Sequence, residues 1–189
     1  MKREVTDKTI LDKFLEDFIR IADKYVKYIV VSGFVSIAHG RSRGTEDIDM
    51  IFERISKEKF KELHFALIKG GFECIQSDNP EIIYDDYLNS GTAIRYTKKG
   101  EFLPEAEVKF AKDSLDEYQI KTRMKLPLTG LDVYFSSIEM NIAFKEELLK
   151  SDKDMEDAKH LRLIYRGKIN EQEIEKIKKQ IRKLRFNED

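Results

Sequence analysis

Two aspartates one residue apart in an apolar segment constrain this chain most. The stretch VSGFVSIAHGRSRGTEDIDMIF, Val31 to Phe52, opens on a Ser-Gly turn and closes on Asp47 and Asp49 set among Ile and Met. Side chains alternate along a strand, so the two aspartates share one face, about 7 Å apart at Cα, while Ile48 and Met50 take the other. Burying two like charges is costly unless something opposes them. A divalent cation would do so: Mg²⁺ (or Mn²⁺) takes one or two carboxylates together with substrate phosphates. Two such ions held by shared carboxylates can drive in-line displacement at phosphorus. The Ser32-Gly33 turn fits the same chemistry. It joins a strand to the start of a short helix, where free N–H groups and the helix dipole favour an anion. Gly33 would let a phosphate approach the backbone, and the Ser32 hydroxyl can donate to it.

The remainder of the chain suits one core. Its 189 residues are enough for a good-sized core with a small appendage. Hydrophobic residues are 41% and charged residues 38%, which fits a soluble globular chain with an ionic surface. The formal net charge of -1 selects no class of partner. Cys74 is the single cysteine, so no disulfide forms within the chain. The start MKREVTDKTI has no apolar signal core, and no run of about 18 apolar residues occurs. The expectation is a cytoplasmic protein with no membrane contact.

Periodicity predicts a helix over 7–27, from Ile10, Leu11, Phe14, Phe18, Ile21 and Tyr25. Strands follow at 28–32 and 47–52, with a short helix ending at Gly40 between them. Ser56 caps a helix that stops at Gly70-Gly71. A strand at 72–76 and a short helix at 80–88 come next, then strands at 92–97 and 105–110 around a Lys99-Gly100 turn. A helix at 114–123 and a strand at 131–135 complete this part. From Ser137 the period is helical, giving three helices at about 137–150, 152–166 and 170–185. The fold class is α/β: a mixed β-sheet flanked by helices over residues 1–136, with a C-terminal helical segment, 137–189, packed on it.

The motif resembles that of the nucleotidyltransferase fold of the DNA polymerase beta superfamily. Gly33 is followed by thirteen residues and then Asp47-Ile48-Asp49 between apolar neighbours. Here Ser32 stands where the family usually has the first Gly. The segment GRSRGTEDIDMIF is similar to a small prokaryotic and archaeal branch that includes the AbiEii-type toxins. SSIEMNIAFKEELLKSDKDMEDAKHL extends that likeness, with Lys145 preceding Lys153, Asp154 and Asp157. The resemblance implies a third carboxylate on a later central strand, usually Asp. PEAEVKF offers Glu105 and Glu107 on one face, and Glu107 is preferred; Asp132 is the reserve.

By resemblance, Asp47, Asp49 and Glu107 would be the catalytic and metal-holding set, with Ser32, Gly33, Arg43 and Lys145 on the nucleotide. The substrate would be a nucleoside triphosphate, and the acceptor a hydroxyl of a protein, RNA or small molecule. A toxin-like role, an antitoxin partner and a homodimer are compatible with the branch. The alternative is a nucleotidyltransferase-like scaffold without turnover, acting through a protein or RNA partner. Blander readings compete at several positions. Arg41 and Arg43 either bind phosphate or cap a helix and pair with Glu46. Lys145 is equally a surface lysine, and Lys153 with Asp157 reads best as an i,i+4 pair. His39, His64 and His160 lack metal-like spacing. Residues 160–185 carry nine Lys or Arg against three Asp or Glu, which reads as a solvated basic face.

Overall fold

The aspartate strand lies at the centre of a seven-stranded mixed sheet, in a computed structural model that describes residues 8–186. The strands are β1 (Tyr28–Val30), β2 (Asp47–Phe52), β3 (Phe72–Cys74), β4 (Ile94–Lys98), β5 (Glu105–Phe110), β6 (Met124–Lys125) and β7 (Tyr134–Phe135). Their order across the sheet is β3-β4-β5-β2-β1-β7-β6. Strand β2 runs parallel to β5 and antiparallel to β1, and β1 runs parallel to β7.

Alternation divides the sheet as the pattern requires. Ile48, Met50 and Phe52 on β2, with Ala106, Val108 and Phe110 on β5, are buried in the main core. Helices α1 (Ile10–Ala22) and α3 (Lys57–Lys69) contribute Phe14, Leu15, Phe18, Phe60, Leu63 and Leu67 to the same core. Phe18 meets Phe72 edge-on at 5.3 Å between ring centroids, which ties α1 to the β3 edge. The opposite faces of β2 and β5 carry Asp47, Asp49 and Ile51 beside Glu105, Glu107 and Lys109. There a second, smaller cluster of Ile29, Ile51, Ala111 and Ile120 seats α5 (Ser114–Lys121).

Local signals set most boundaries. Thr9 and Asp12 form a capping box that starts α1 at Ile10, with reciprocal bonds of 2.9 and 3.1 Å. The helix expected over 7–27 is therefore shorter. After Ala22 the backbone turns, Tyr25 N donating to Ala22 O at 2.9 Å, and delivers β1. Position 7 lies outside the described residues. Ser56 caps α3 as expected. The short helix at 80–88 is α4 (Pro80–Ile82) running on as a π-helical turn over Ile83–Leu88. The strand expected over 131–135 shrinks to Tyr134–Phe135, and the two-residue edge strand β6 is too short to show any alternation.

The C-terminal helices are α6 (Ile138–Phe144), continued π-helically over Lys145–Leu149, then α7 (Asp152–Ile164) and α8 (Glu171–Arg185). Ile174, Ile177 and Ile181 of α8 are buried in the cluster that holds Phe14 and Phe52. The basic face of α8 is partly engaged within the fold. Lys178 pairs with Glu146 at 2.9 Å, Arg182 with Glu147 at 2.9 Å, and Arg185 with Asp116 at 2.9 Å. Among the described residues no helix is long and apolar enough to cross a membrane.

A shared core should unfold as a unit. Ile177→Ala is expected to cost about 2–5 kcal/mol and to shift one transition in urea, followed by both far-UV ellipticity and tyrosine fluorescence. Two separated transitions would mean that residues 137–189 fold independently.

Candidate active site

Parallel pairing of β2 with β5 sets the site. Asp47 lies opposite Glu105 and Asp49 opposite Glu107, so four carboxylates occupy one sheet face in two rows. Asp49 is the most confined of the pair on β2. Burial pushes its carboxyl above the ordinary carboxylate range, and the charges of Asp47 and Glu107 push the same way; a hydrogen bond from Ser32 and the charge of Lys109 act against them. Asp47 accepts a 3.0 Å bond from Thr45 Oγ1.

Glu107, the expected third carboxylate, is on the same face as Asp49, but its Oε2 is engaged. Arg95 on β4 donates to Glu107 Oε2 from Nη2 at 2.8 Å and from Nε at 3.1 Å, and its Nε lies 3.3 Å from Glu105. Among the described residues, no group of three or more His, Cys, Asp or Glu side chains is arranged to hold a metal ion. The crowding on Asp49 is what a cation would relieve. A Mg²⁺ ion needs only one or two protein carboxylates beside phosphates, so the Asp47–Asp49 pair fits the group, with Glu107 held aside. The reserve residue Asp132 does not belong here. It is 84% exposed at its side chain, precedes the short strand β7 and pairs with Lys125 on the sheet edge.

Ser32 occupies backbone space that favours glycine, with φ 63° and ψ -137°. The strained residue is the one that hydrogen-bonds Asp49, so strain and carboxylate meet at one turn. Gly33, the first residue of α2 (Gly33–Ala38), is buried. A Cβ there would sit 3.0 Å from the guanidinium carbon of Arg43, so the glycine makes room for that arginine.

Arg43 and Lys145 are drawn together by one residue, Asp157. Its carboxylate is fully buried and meets three cations: Lys145 Nζ at 2.8 Å, and Arg41 and Arg43 in short ion pairs. Lys145 is itself 1% exposed and also reaches Asp154 at 3.5 Å. These contacts correct three readings of the sequence. Lys145 is not a surface lysine, Arg41 and Arg43 pair with α7 instead of Glu46, and Asp157 serves these cations instead of Lys153. Burial alone would push the Asp157 carboxyl up. Donation and charge from Lys145, with the two arginines, outweigh burial and hold it below the ordinary range. Among the described residues, Arg43 Nε is buried without a hydrogen-bond partner.

Two concavities flank the carboxylates. A cavity of about 230 Å³ has Ser32, Asp49 and Lys109 on the sheet side and Asn141, Phe144 and Lys145 on the helical side. Asn141 is fixed there by donating to Ser136 Oγ at 2.9 Å and to Ser137 O at 2.9 Å. On the other side, Asp47 opens on a groove of about 320 Å³ with Arg43, Thr45, Arg95, Glu105 and Lys153. Sequence reasoning missed Arg95 and Asn141. Arg95 was visible only as a charge in the alternating strand TAIRYT, and its partner depends on register.

No protein-family profile matches the chain, and no curated protein matches it. Solved structures do. The chain is similar to the antibiotic-resistance factor ANT(2'')-Ia in solution, at 16% identity and a TM-score of 0.55, covering 91% of each chain. A crystal structure of ANT(2'')-Ia in complex with adenylyl-2''-tobramycin gives 17% identity and a TM-score of 0.55 over 92% of this chain and 98% of that one. An antigenic nucleotidyltransferase-like protein from Paracoccidioides brasiliensis matches at 16% identity and a TM-score of 0.51, over 94% of this chain and 89% of that one. The mixed sheet and its flanking helices are thus the fold of nucleotidyltransferase-like structures.

Two substitutions test this geometry. Asp157→Asn leaves the buried Lys145 and the half-buried Arg41 and Arg43 short of a counter-charge and should cost about 3 kcal/mol or more at pH 7. A carboxyl held below its unfolded value stabilises the fold above the ordinary carboxylate range, and that contribution is lost as pH falls through the folded value. The gap between wild type and Asp157→Asn in urea melts should therefore narrow below about pH 4; a gap independent of pH would show that charge is not what Asp157 supplies. Ser32→Gly should stabilise the protein by about 1 kcal/mol through relief of the backbone. A loss of stability would show that the bond to Asp49 outweighs the strain.

Proposed function

We propose that this chain is a nucleotidyltransferase, moving a nucleoside monophosphate from a nucleoside triphosphate to an acceptor hydroxyl with release of pyrophosphate. One observation carries the reading: Asp49, crowded by Asp47 and Glu107 and bonded by the strained Ser32, borders a cavity in a nucleotidyltransferase-like fold. In this reading the cavity takes the nucleotide. Phe144 and neighbouring apolar residues face the nucleoside, and Ser32 and Lys109 face the phosphates. Arg43, packed over Gly33, borders the groove beyond Asp47 and would face the phosphates from that side. Lys145 borders the same cavity with its charge already on Asp157, so it acts by holding that wall. A Mg²⁺ or Mn²⁺ ion at Asp47 and Asp49 would neutralise the triphosphate and the charge developing on it.

Glu107 would accept the proton of the acceptor hydroxyl, which enters by the groove beyond Asp47. The acceptor is a protein, an RNA or a small molecule. A toxin-like role with an antitoxin partner, as in the AbiEii-like branch, belongs to this proposal and rests on the sequence resemblance. The alternative, a scaffold that binds without turnover, draws on the engagement of Glu107 by Arg95.

Incubation with each labelled nucleoside triphosphate, Mg²⁺ or Mn²⁺ and a cell extract should label an acceptor protein or RNA. Nucleotide binding with no transfer from any triphosphate would favour the scaffold. Asp49→Asn separates site from structure. A carboxyl raised above its unfolded value loses stability as pH rises through the folded value. At neutral pH without metal, Asp49→Asn should thus be as stable as wild type or slightly more so. It should also lose the rise in melting temperature that Mg²⁺ with nucleoside triphosphate gives the wild type. Strong destabilisation, with no ligand-dependent rise in the wild type, would sink the reading.

A further inference from the structure

The position of Arg95 has a consequence for how the carboxylate face is filled. Its guanidinium lies among acidic groups from two strands. It holds Glu107 through Nη2 and Nε, stands 3.3 Å from Glu105, and shares the groove with Asp47. The charges of Glu107, Glu105 and Asp47 all favour its protonated form. The cross-strand register explains the placement: Arg95 is the β4 residue directly opposite Glu107, and both point to the face that bears Asp49. The arrangement is local and reversible in kind. Arg95 is 48% exposed at its side chain, and Glu107 23%. An ion pair at that exposure is weak enough to open under modest competition.

Resting on the nucleotidyltransferase reading, we propose that Arg95 is a resident counter-cation. It neutralises the carboxylate face in the absence of metal and keeps Glu107 out of the metal-binding set until a divalent cation displaces it. Two facts then share one cause. Glu107 sits in register with Asp49, yet no three-carboxylate cluster stands ready among the described residues. Arg95 takes Glu107 Oε2 through two N–H groups, so a divalent cation gains that oxygen only by displacing the guanidinium. Arg95 already lines the groove on the acceptor side of Asp47, so once released from Glu107 its charge stays on that side. The carboxylate it leaves then has one oxygen for the cation and a second to accept a proton. Arg95 is in this sense a positioning residue for Glu107, acting through an ion pair that must break.

The test is Mn²⁺ binding to the full chain without nucleotide, read from the paramagnetic resonance of free Mn²⁺, alongside thermal melts. Methionine keeps the aliphatic stem and removes the charge. Arg95→Met should bind Mn²⁺ roughly fivefold more tightly than wild type, the fold-change that loss of one competing surface ion pair gives. Without metal it should melt below wild type, because Glu105 and Glu107 lose their counter-charge, and Mn²⁺ should close most of that gap. Arg95→Lys, which keeps the charge, should bind like wild type. Equal Mn²⁺ affinity in wild type and Arg95→Met would overturn the proposal and leave the metal-dependent reading standing. Absence of binding in both would overturn the two together. Tighter binding in Arg95→Lys as well as Arg95→Met would overturn the role of charge. Should Arg95→Met fail to fold, Arg95→Gln carries the same expectations.

Discussion

The buried carboxylate of Asp157 is the interaction on which the rest of the site depends. A fully desolvated charge persists only with partners of opposite sign and good geometry. Asp157 has three, and they come from two places: Arg41 and Arg43 from the loop that leads into β2, and Lys145 from the extension of α6. Asp157 itself is on α7. One carboxylate therefore fixes the approach of the aspartate strand relative to two C-terminal helices. The burial of Lys145, which would otherwise be prohibitive, follows from the same contact. The glycine at 33 fits the same contact, since a Cβ there would crowd the Arg43 guanidinium at 3.0 Å.

A second constraint is charge crowding on the other side of the Ser32 turn. Asp47, Asp49, Glu105 and Glu107 share a face because β2 and β5 pair in parallel, residue for residue. In a purely structural sheet such rows would be selected against, since like charges on neighbouring strands destabilise. Here three features moderate them: Ser32 and Lys109 at Asp49, and Arg95 at Glu107 and Glu105. The strained backbone of Ser32 belongs with this crowding. A residue in glycine's territory that hydrogen-bonds a carboxylate of raised pKa marks where local stability has been given up.

The C-terminal helices serve the site more than their composition suggests. Read alone, α8 is a basic amphipathic helix. In the fold its cations answer Glu146, Glu147 and Asp116, and its isoleucines complete the core. The cavity beside Asp49 exists because α6 and its π-helical extension stand across from the sheet, with Asn141, Phe144 and Lys145 turned toward it. The walls of the cavity thus come from parts of the chain separated by about a hundred residues in sequence.

The sequence by itself determined the α/β class, the order of nearly all elements and the sidedness of β2 and β5. Alternation fixes sidedness locally, so Asp47 with Asp49, and Glu105 with Glu107, were legible as pairs. Caps at Ser56 and the run of helical period after Ser137 were legible for the same reason: each depends on neighbours within four residues. What only the tertiary structure decided were the partners. Arg95 finds Glu107, and Asp132 falls away from the site, because of strand register, which no single strand encodes. Lys153 and Asp157 have the spacing of a helical pair, yet Asp157 turns to Lys145 and the arginines. A buried carboxylate is governed by the charges that packing brings to it, and those come from distant sequence; periodicity shows which way a side chain points, and packing alone shows what it meets.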